Sequence, residues 1–175
     1  MNPSIKAVVI SIPCYMLFID DKYFMNKFCK MLDWPKLSEA YHLTDEQVID
    51  KTLPHAHPVL HYEYYRQYMY NNNTLVQELQ PLFNFDITNR IFIQIVKKGI
   101  SIHKDVGRSK IYNYLLDTGG DNVYTRFYDE DKETELFKIN IPLHTWHQLD
   151  VTGYHNVTGI EKDRISITIY ESFST

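Results

Sequence analysis

The stretch Gly99-Ile100-Ser101-Ile102-His103-Lys104-Asp105 sets an imidazole and a carboxylate two residues apart behind a glycine turn. Residues two apart on an extended chain share a face, so His103 and Asp105 can aim at one point. There they offer one nitrogen and one oxygen to a divalent metal. The same pair can also be an ordinary hydrogen bond at a strand end. Later in the chain His155 follows Gly153-Tyr154, and Arg164-Ile165-Ser166-Ile167-Thr168-Ile169 alternates in polarity. Alternation sends the three isoleucines to one face, the core, and Arg164, Ser166 and Thr168 to the other. An inward-facing cation needs an anion, because an unpaired buried charge is costly. A carboxylate gripped by the planar guanidinium fork beside a serine hydroxyl meets that need. The competing reading has Arg164 pairing with Asp163 or Glu161 on the surface.

These residues need strands to hold them. Residues 5–12 and 15–19 read as strands. Phe24, Phe28, Met31 and Leu32 then fall at helical spacing, closed by Trp34-Pro35. Thr44-Asp45-Glu46-Gln47 reads as a capping box for a short helix to residue 50. Asn73 or Thr74 caps another, with Leu75, Leu79 and Leu82 on one face. After Phe85, seven segments read as strands: 90–96, 100–104, 111–116, 123–128, 136–141, 146–151 and 165–170. The turns between them carry Lys98-Gly99, Thr118-Gly119-Gly120-Asp121, residues 129–132 and residues 159–163. That spacing predicts a sandwich or barrel with the helical first half packed outside one sheet. The expectation is a single domain over 1–175: a mixed helical and strand support region to residue 85, and a β core over 86–175 that carries the site.

The chain has 175 residues, 18 Lys+Arg against 22 Asp+Glu for a net charge of −4, and 44% hydrophobic residues, which is too apolar for a disordered chain. No basic run supplies a nucleic-acid patch, and no apolar run reaches the roughly 18 residues of a membrane span. The stretch 7–19 is broken by Ser11 and Pro13 and makes a poor signal peptide. Cys14 and Cys29 form neither a CxxC nor a disulfide framework and read as core thiols. The expectation is a soluble, cytoplasmic protein with no nucleic-acid or membrane partner.

In order, the chain presents a His, a carboxylate two later, a distant His, and nine residues beyond it an Arg followed by x-Ser. Two His and one carboxylate on one face of a metal leave three positions open, as in non-haem Fe(II) oxygenases. The constellation resembles the 2-oxoglutarate/Fe(II)-dependent dioxygenases, and KKGISIHKD looks like the glycine turn and strand before H-x-D in prolyl- and aspartyl-hydroxylase-like members. The resemblance spans roughly residues 90–172. It implies a mainly β (α+β) double-stranded β-helix of the jelly-roll, cupin-like type, with packing helices from the N-terminal half. It implies His103, Asp105 and His155 as Fe(II) ligands, and Arg164 assisted by Ser166 on the distal carboxylate of 2-oxoglutarate. The strand after H-x-D usually adds a cosubstrate contact; Tyr112, Asn113 and Tyr114 compete for it, with Asn113 and Tyr112 favoured although alternation sets them on opposite faces. Arg108 either reaches substrate or cosubstrate or is an exposed loop arginine. The implied activity is hydroxylation with O2, releasing succinate and CO2.

Two other functions remain in view: a cupin-like metal enzyme that does not use 2-oxoglutarate, and a non-enzymatic jelly roll with a structural or binding role. His55, His57 and His61 form a rival histidine group without a carboxylate to complete it. His144 and His147 either touch the substrate mouth or, the better reading, are surface turn residues. The tyrosine-rich run 62–70 either lines a substrate cleft or packs against the sheet. The substrate expected is a small molecule or a side-chain target.

Overall fold

A computed structural model describes residues 25, 27–37, 56–70 and 73–172. The strands expected at 5–12 and 15–19, the helix at 44–50, Cys14, His55 and the side chains of His57 and His61 lie outside the described residues. Within them, eleven strands follow in order: β1 (Cys29–Met31), β2 (Ala56–His61), β3 (Tyr65–Tyr70), β4 (Ile91–Val96), β5 (Ile100–His103), β6 (Arg108–Asp117), β7 (Tyr124–Tyr128), β8 (Glu135–Ile139), β9 (Trp146–Asp150), β10 (Tyr154–Thr158) and β11 (Arg164–Ser172). A helix, α1 (Asn73–Leu79), runs into a 3-10 turn at Gln80–Leu82 between β3 and β4.

The isoleucine alternation is what sorts the faces. In β11, Ile165, Ile167 and Ile169 are wholly buried and sit opposite Ile95, Ile93 and Ile91 of β4. Leu75 and Leu79 of α1, with Trp34, Phe83 and Phe85, cover this outer face of the large sheet. Burying each isoleucine stabilises the fold by roughly 1.5–3 kcal/mol. The opposite faces enclose a second cluster of Phe28, Cys29, Ile111, Leu115, Phe127, Leu149 and Val151.

The large sheet has seven strands in the order β1-β9-β6-β11-β4-β3-β2, and the small one four, β5-β10-β7-β8. All pairings are antiparallel. From β4 onward the chain crosses repeatedly between the sheets, so that β9-β6-β11-β4 faces β5-β10-β7-β8. This is the jelly roll, or double-stranded β-helix, that the resemblance implied.

Three segments differ from expectation. Met31 belongs to a strand and not to a helix: residues 27 and 28 are helical, but Cys29 and Met31 then pair with Leu149 and His147 of β9 while Lys30 points out. Residues 56–70, expected in the support region, supply two strands to the large sheet, where Tyr68 and Tyr70 are buried in the outer core. Residues 154–158, outside the strands expected from sequence, form the central strand β10, with His155 and Asn156 buried.

Candidate active site

His103 ends β5 and His155 lies in β10, directly across the antiparallel ladder from it. The rings stand 4.4 Å apart between centroids. Asp105 follows two residues past His103, its backbone N–H held by the Val151 carbonyl at 3.1 Å. The ligand atoms of His103, Asp105 and His155 all fall within 4.8 Å of one another and could hold a metal ion.

The tautomers suit that task. Nδ1 of His103 lies 2.8 Å from the Ser101 carbonyl, and Nδ1 of His155 lies 3.0 Å from the Gly153 carbonyl. A carbonyl only accepts, so each Nδ1 carries the hydrogen and each Nε2 keeps its lone pair for the site. His103 Nε2 faces an Asp105 carboxylate oxygen at 3.5 Å. Two electron-rich atoms so placed call for a proton or a cation between them. The hydrogen bond with Asp105 raises the His103 imidazole above its ordinary value, against its burial. Burial pushes the Asp105 carboxyl up, but His103, His155 and Arg108 outweigh it and hold the group below the usual carboxylate value. Burial lowers His155, which favours its neutral imidazole.

Arg164 opens β11 on the inner face, only 7% exposed. The turn after β6 builds its seat. Gly119 takes φ +82°, and a Cβ there would meet the Arg164 Cβ at 2.7 Å. The Gly119 carbonyl accepts from the Glu161 and Lys162 N–H groups, and Arg164 Nη1 donates to the Thr118 carbonyl at 3.3 Å. Among the described residues no carboxylate lies within ion-pair distance of Arg164: Asp163 pairs with Lys97, and Asp117 with Lys162. Burial lowers the guanidinium to about 10. A buried cation without a counter-charge is a demand for an anionic ligand.

Next to it Ser166 Oγ lies 3.2 Å from Thr168 Oγ1, whose hydroxyl donates to Asn113 Oδ1 at 2.6 Å. That bond turns the Asn113 amide N–H groups to the remaining space. Arg164, Ser166, Asn113, Arg108 and the three metal-ligand candidates all line one cavity of about 380 Å³. The Arg108 guanidinium carbon stands over the Tyr170 ring, 3.6 Å from its centroid, and Nη1 reaches Asp105 at 3.6 Å.

Tyr112 is not there. Its ring stacks on Trp34 and packs edge-on against Phe83 on the outer face, and its hydroxyl donates to Glu171 at 2.7 Å. Alternation decides this: in β6, Asn113 faces Thr168 and His147 on the inner side, so Tyr112 and Tyr114 must face out. His147, expected in a surface turn, is fully buried in β9, and burial together with the Arg164 charge lowers it to about 3.

Sequence reasoning missed two residues in this cavity. Thr125 of β7 lines it from the small sheet, and its buried hydroxyl has no hydrogen-bond partner among the described residues. Alternation within β7 could have placed Thr125 beside Phe127 on the inner face. Gln94 of β4 donates to the Tyr170 hydroxyl, as does Gln67 at 2.9 Å.

Among the described residues no helix is long and apolar enough to cross a membrane. No family model matches the chain, and no curated protein does. Solved structures do. A prolyl hydroxylase from Trichoplax adhaerens, in complex with a hypoxia inducible factor peptide fragment, matches 87% of this chain and 86% of its own at a TM-score of 0.56 and 10% identity. An oxidoreductase of the 2OG-Fe(II) oxygenase family from Burkholderia pseudomallei matches 87% of this chain and 88% of its own, at 0.49 and 11%. The CENP-C cupin domain of Drosophila melanogaster matches 78% and 86%, at 0.43 and 7%. At such identities the likeness is one of fold, and the fold is the jelly roll that carries a possible His-Asp-His metal site.

Proposed function

We propose that this chain is an Fe(II)- and 2-oxoglutarate-dependent oxygenase that hydroxylates a C–H bond of its substrate. The observation that carries the reading is Arg164, a buried cation with no carboxylate partner among the described residues, lining the same cavity as His103, Asp105 and His155. The donor set fits the implied groups. The two histidine Nε2 atoms and Asp105 would hold Fe(II), and Arg164 with Ser166 would bind the distal carboxylate of 2-oxoglutarate, with the Asn113 amide beside them.

When bound, the metal and cosubstrate supply O2 chemistry: one oxygen atom enters the substrate C–H bond, the other enters succinate, and the 2-oxoglutarate carboxyl leaves as CO2. The chain's own residues bind, orient and insulate. The Ser101 and Gly153 carbonyls fix both imidazoles with Nε2 toward the metal position. Arg164 and Ser166 set the depth at which a dicarboxylate lies. Leu115, Leu149 and Val157 give the cavity an apolar wall that limits water. Arg108, held over Tyr170, neutralises charge at Asp105 from the rim side.

Arg164→Leu is the discriminating variant. Calorimetry should find Fe(II) bound as in the wild type and 2-oxoglutarate weakened by about 30-fold or more, the loss of roughly 2 kcal/mol or above expected on removing one partner of a buried charge pair. Metal binding with no 2-oxoglutarate binding in the wild type would favour the cupin-like reading instead.

A further inference from the structure

Four large apolar side chains are exposed among the described residues, and three of them, Tyr62, Tyr64 and Val106, stand around this one cavity. Tyr62 and Tyr64 line it directly, and Val106, 94% exposed, sits between the lining residues Asp105 and Arg108. Single exposed apolar residues are ordinary; a group of them around an opening marks a binding surface. The tyrosines belong to the tip of the β2–β3 hairpin, closed by the Tyr62 N–H to Tyr65 carbonyl bond at 2.8 Å. Their rings stack 5.8 Å apart, and the Lys97 N–H to Tyr64 carbonyl bond at 2.9 Å ties the tip to the end of β4.

The topology puts a second feature here. Among the described residues, β2 ends the large sheet and β5 ends the small one, pairing with β10 on one side only. Lining residues Tyr62 and Tyr64 adjoin the first edge, while Ile100, Ser101 and His103 form the second. The opening therefore lies between two sheet edges, and the edge strand β5 itself carries a metal-ligand candidate. No residue of β5 is buried. An edge strand offers a row of backbone donors and acceptors that another strand can take up.

Size and charge narrow the occupant. About 380 Å³ lies at the low end of small-ligand sites, roughly 300–1,000 Å³, and a dicarboxylate on Arg164 takes part of it. What is left suits one side chain, so the body of the substrate lies outside, on the rim. The cations around the opening are already matched: Lys98 with Glu63, Lys97 with Asp163, Lys104 with Glu130 and Arg108 with Asp105. Such a rim attracts no polyanion, whereas amide hydrogen bonding needs no net charge.

We propose that the substrate is an extended polypeptide that adds as a strand to the edge of β5 left unpaired among the described residues, rests on Tyr62 and Tyr64, and inserts one side chain toward His103, Asp105 and His155. Main-chain pairing provides the affinity and the cavity reads the alternate side chain. Its oxidation and the limit of one inserted side chain rest on the oxygenase reading above; strand addition at β5 does not.

The test uses the metal-free full chain and a pool of end-blocked octapeptides randomised at every position. Retained sequences are resynthesised with single N-methyl amides. The expected result is slowed hydrogen exchange at residues 100–103, and binding lost about tenfold or more when alternate amides are methylated. Tyr62→Ala with Tyr64→Ala should weaken the same peptides by about tenfold, as for aromatic anchors elsewhere, with circular dichroism confirming the fold. No retained peptide, retention indifferent to every N-methylation, or retention of a randomised oligodeoxynucleotide pool in its place would overturn the proposal. A protein that takes up neither Fe(II) nor 2-oxoglutarate yet passes the peptide test sinks only the oxygenase reading. One that consumes 2-oxoglutarate but holds no peptide sinks only this one.

Discussion

Two neighbouring residues of β6 have opposite fates, and that contrast is open to direct test. Asn113 is held by the Thr168 hydroxyl and faces the cavity; Tyr112 is packed among Trp34, Phe83 and Phe85 and bonded to Glu171. Asn113→Leu should weaken 2-oxoglutarate binding with Fe(II) binding kept. Tyr112→Phe should leave both unchanged and lower stability by about 1 kcal/mol, the typical worth of one hydrogen bond. Calorimetry and denaturant unfolding separate the two. Thr125 permits a sharper contrast, because its buried hydroxyl has no partner among the described residues. Thr125→Val keeps the shape and removes the orphan, so the ligand-free protein should be as stable as the wild type or more so, by up to about 1 kcal/mol. If that hydroxyl serves the bound cosubstrate, the same variant loses the extra stabilisation that 2-oxoglutarate confers.

At the scale of elements, the site depends on how turns seat strands. Gly119 lies against Arg164 so closely that a methyl group has no room, and its positive φ disfavours any side chain. Gly119→Ala should destabilise the fold by more than about 1 kcal/mol and weaken 2-oxoglutarate as well, since it displaces Arg164, the proposed carboxylate ligand. Ile167→Ala, on the far face of the same strand, should cost about 2–5 kcal/mol without that selective loss of cosubstrate affinity. Strand alternation made β11 legible from sequence, because both its faces are buried and differ in polarity. The same logic exposed His103 and Asp105 as a pair. It could not choose between Tyr112 and Asn113, since which face of β6 turns inward is set by its pairing with β11 and β9 and not by its own residues. β1 was read as helical because Phe28 and Met31 fit that period, yet three residues beside β9 gain more from the ladder than from a helix turn. The hairpin of β2 and β3 was hidden by a tyrosine-rich run whose members serve both faces: Tyr68 and Tyr70 fill the outer core, and Tyr65 borders the cavity.

Over the whole molecule, the two clusters and the cavity divide the labour. The outer cluster binds helix to sheet, and the inner one adjoins the cavity, sharing Ile111, Leu115 and Leu149 with its wall. Burial raises Tyr65, Tyr112 and Tyr170 above the ordinary phenol value of 10.0, and pushes the Cys29 thiol up to about 12. The folded state thus holds these protons more tightly than the unfolded chain. The stability they contribute is complete below the unfolded values, near 9 for the thiol and 10 for the phenols, and is lost as pH rises through the folded ones. Denaturant midpoints should therefore fall steeply above pH 9–10, and tyrosine ionisation should lag the alkaline shift of free phenol until the chain unfolds. The strand order was recoverable from sequence only through resemblance; local pattern gave a sandwich or barrel, because crossovers between sheets leave no periodic signature.

The central claim is that one cavity joins a His-Asp-His metal site to a carboxylate-binding arginine. Anaerobic addition of Fe(II) and then 2-oxoglutarate to the metal-free protein tests it in a single titration. The account predicts a weak visible charge-transfer band in the wild type, absent from His103→Ala. Wild-type protein that binds Fe(II) tightly and yields no band at saturating 2-oxoglutarate would contradict it.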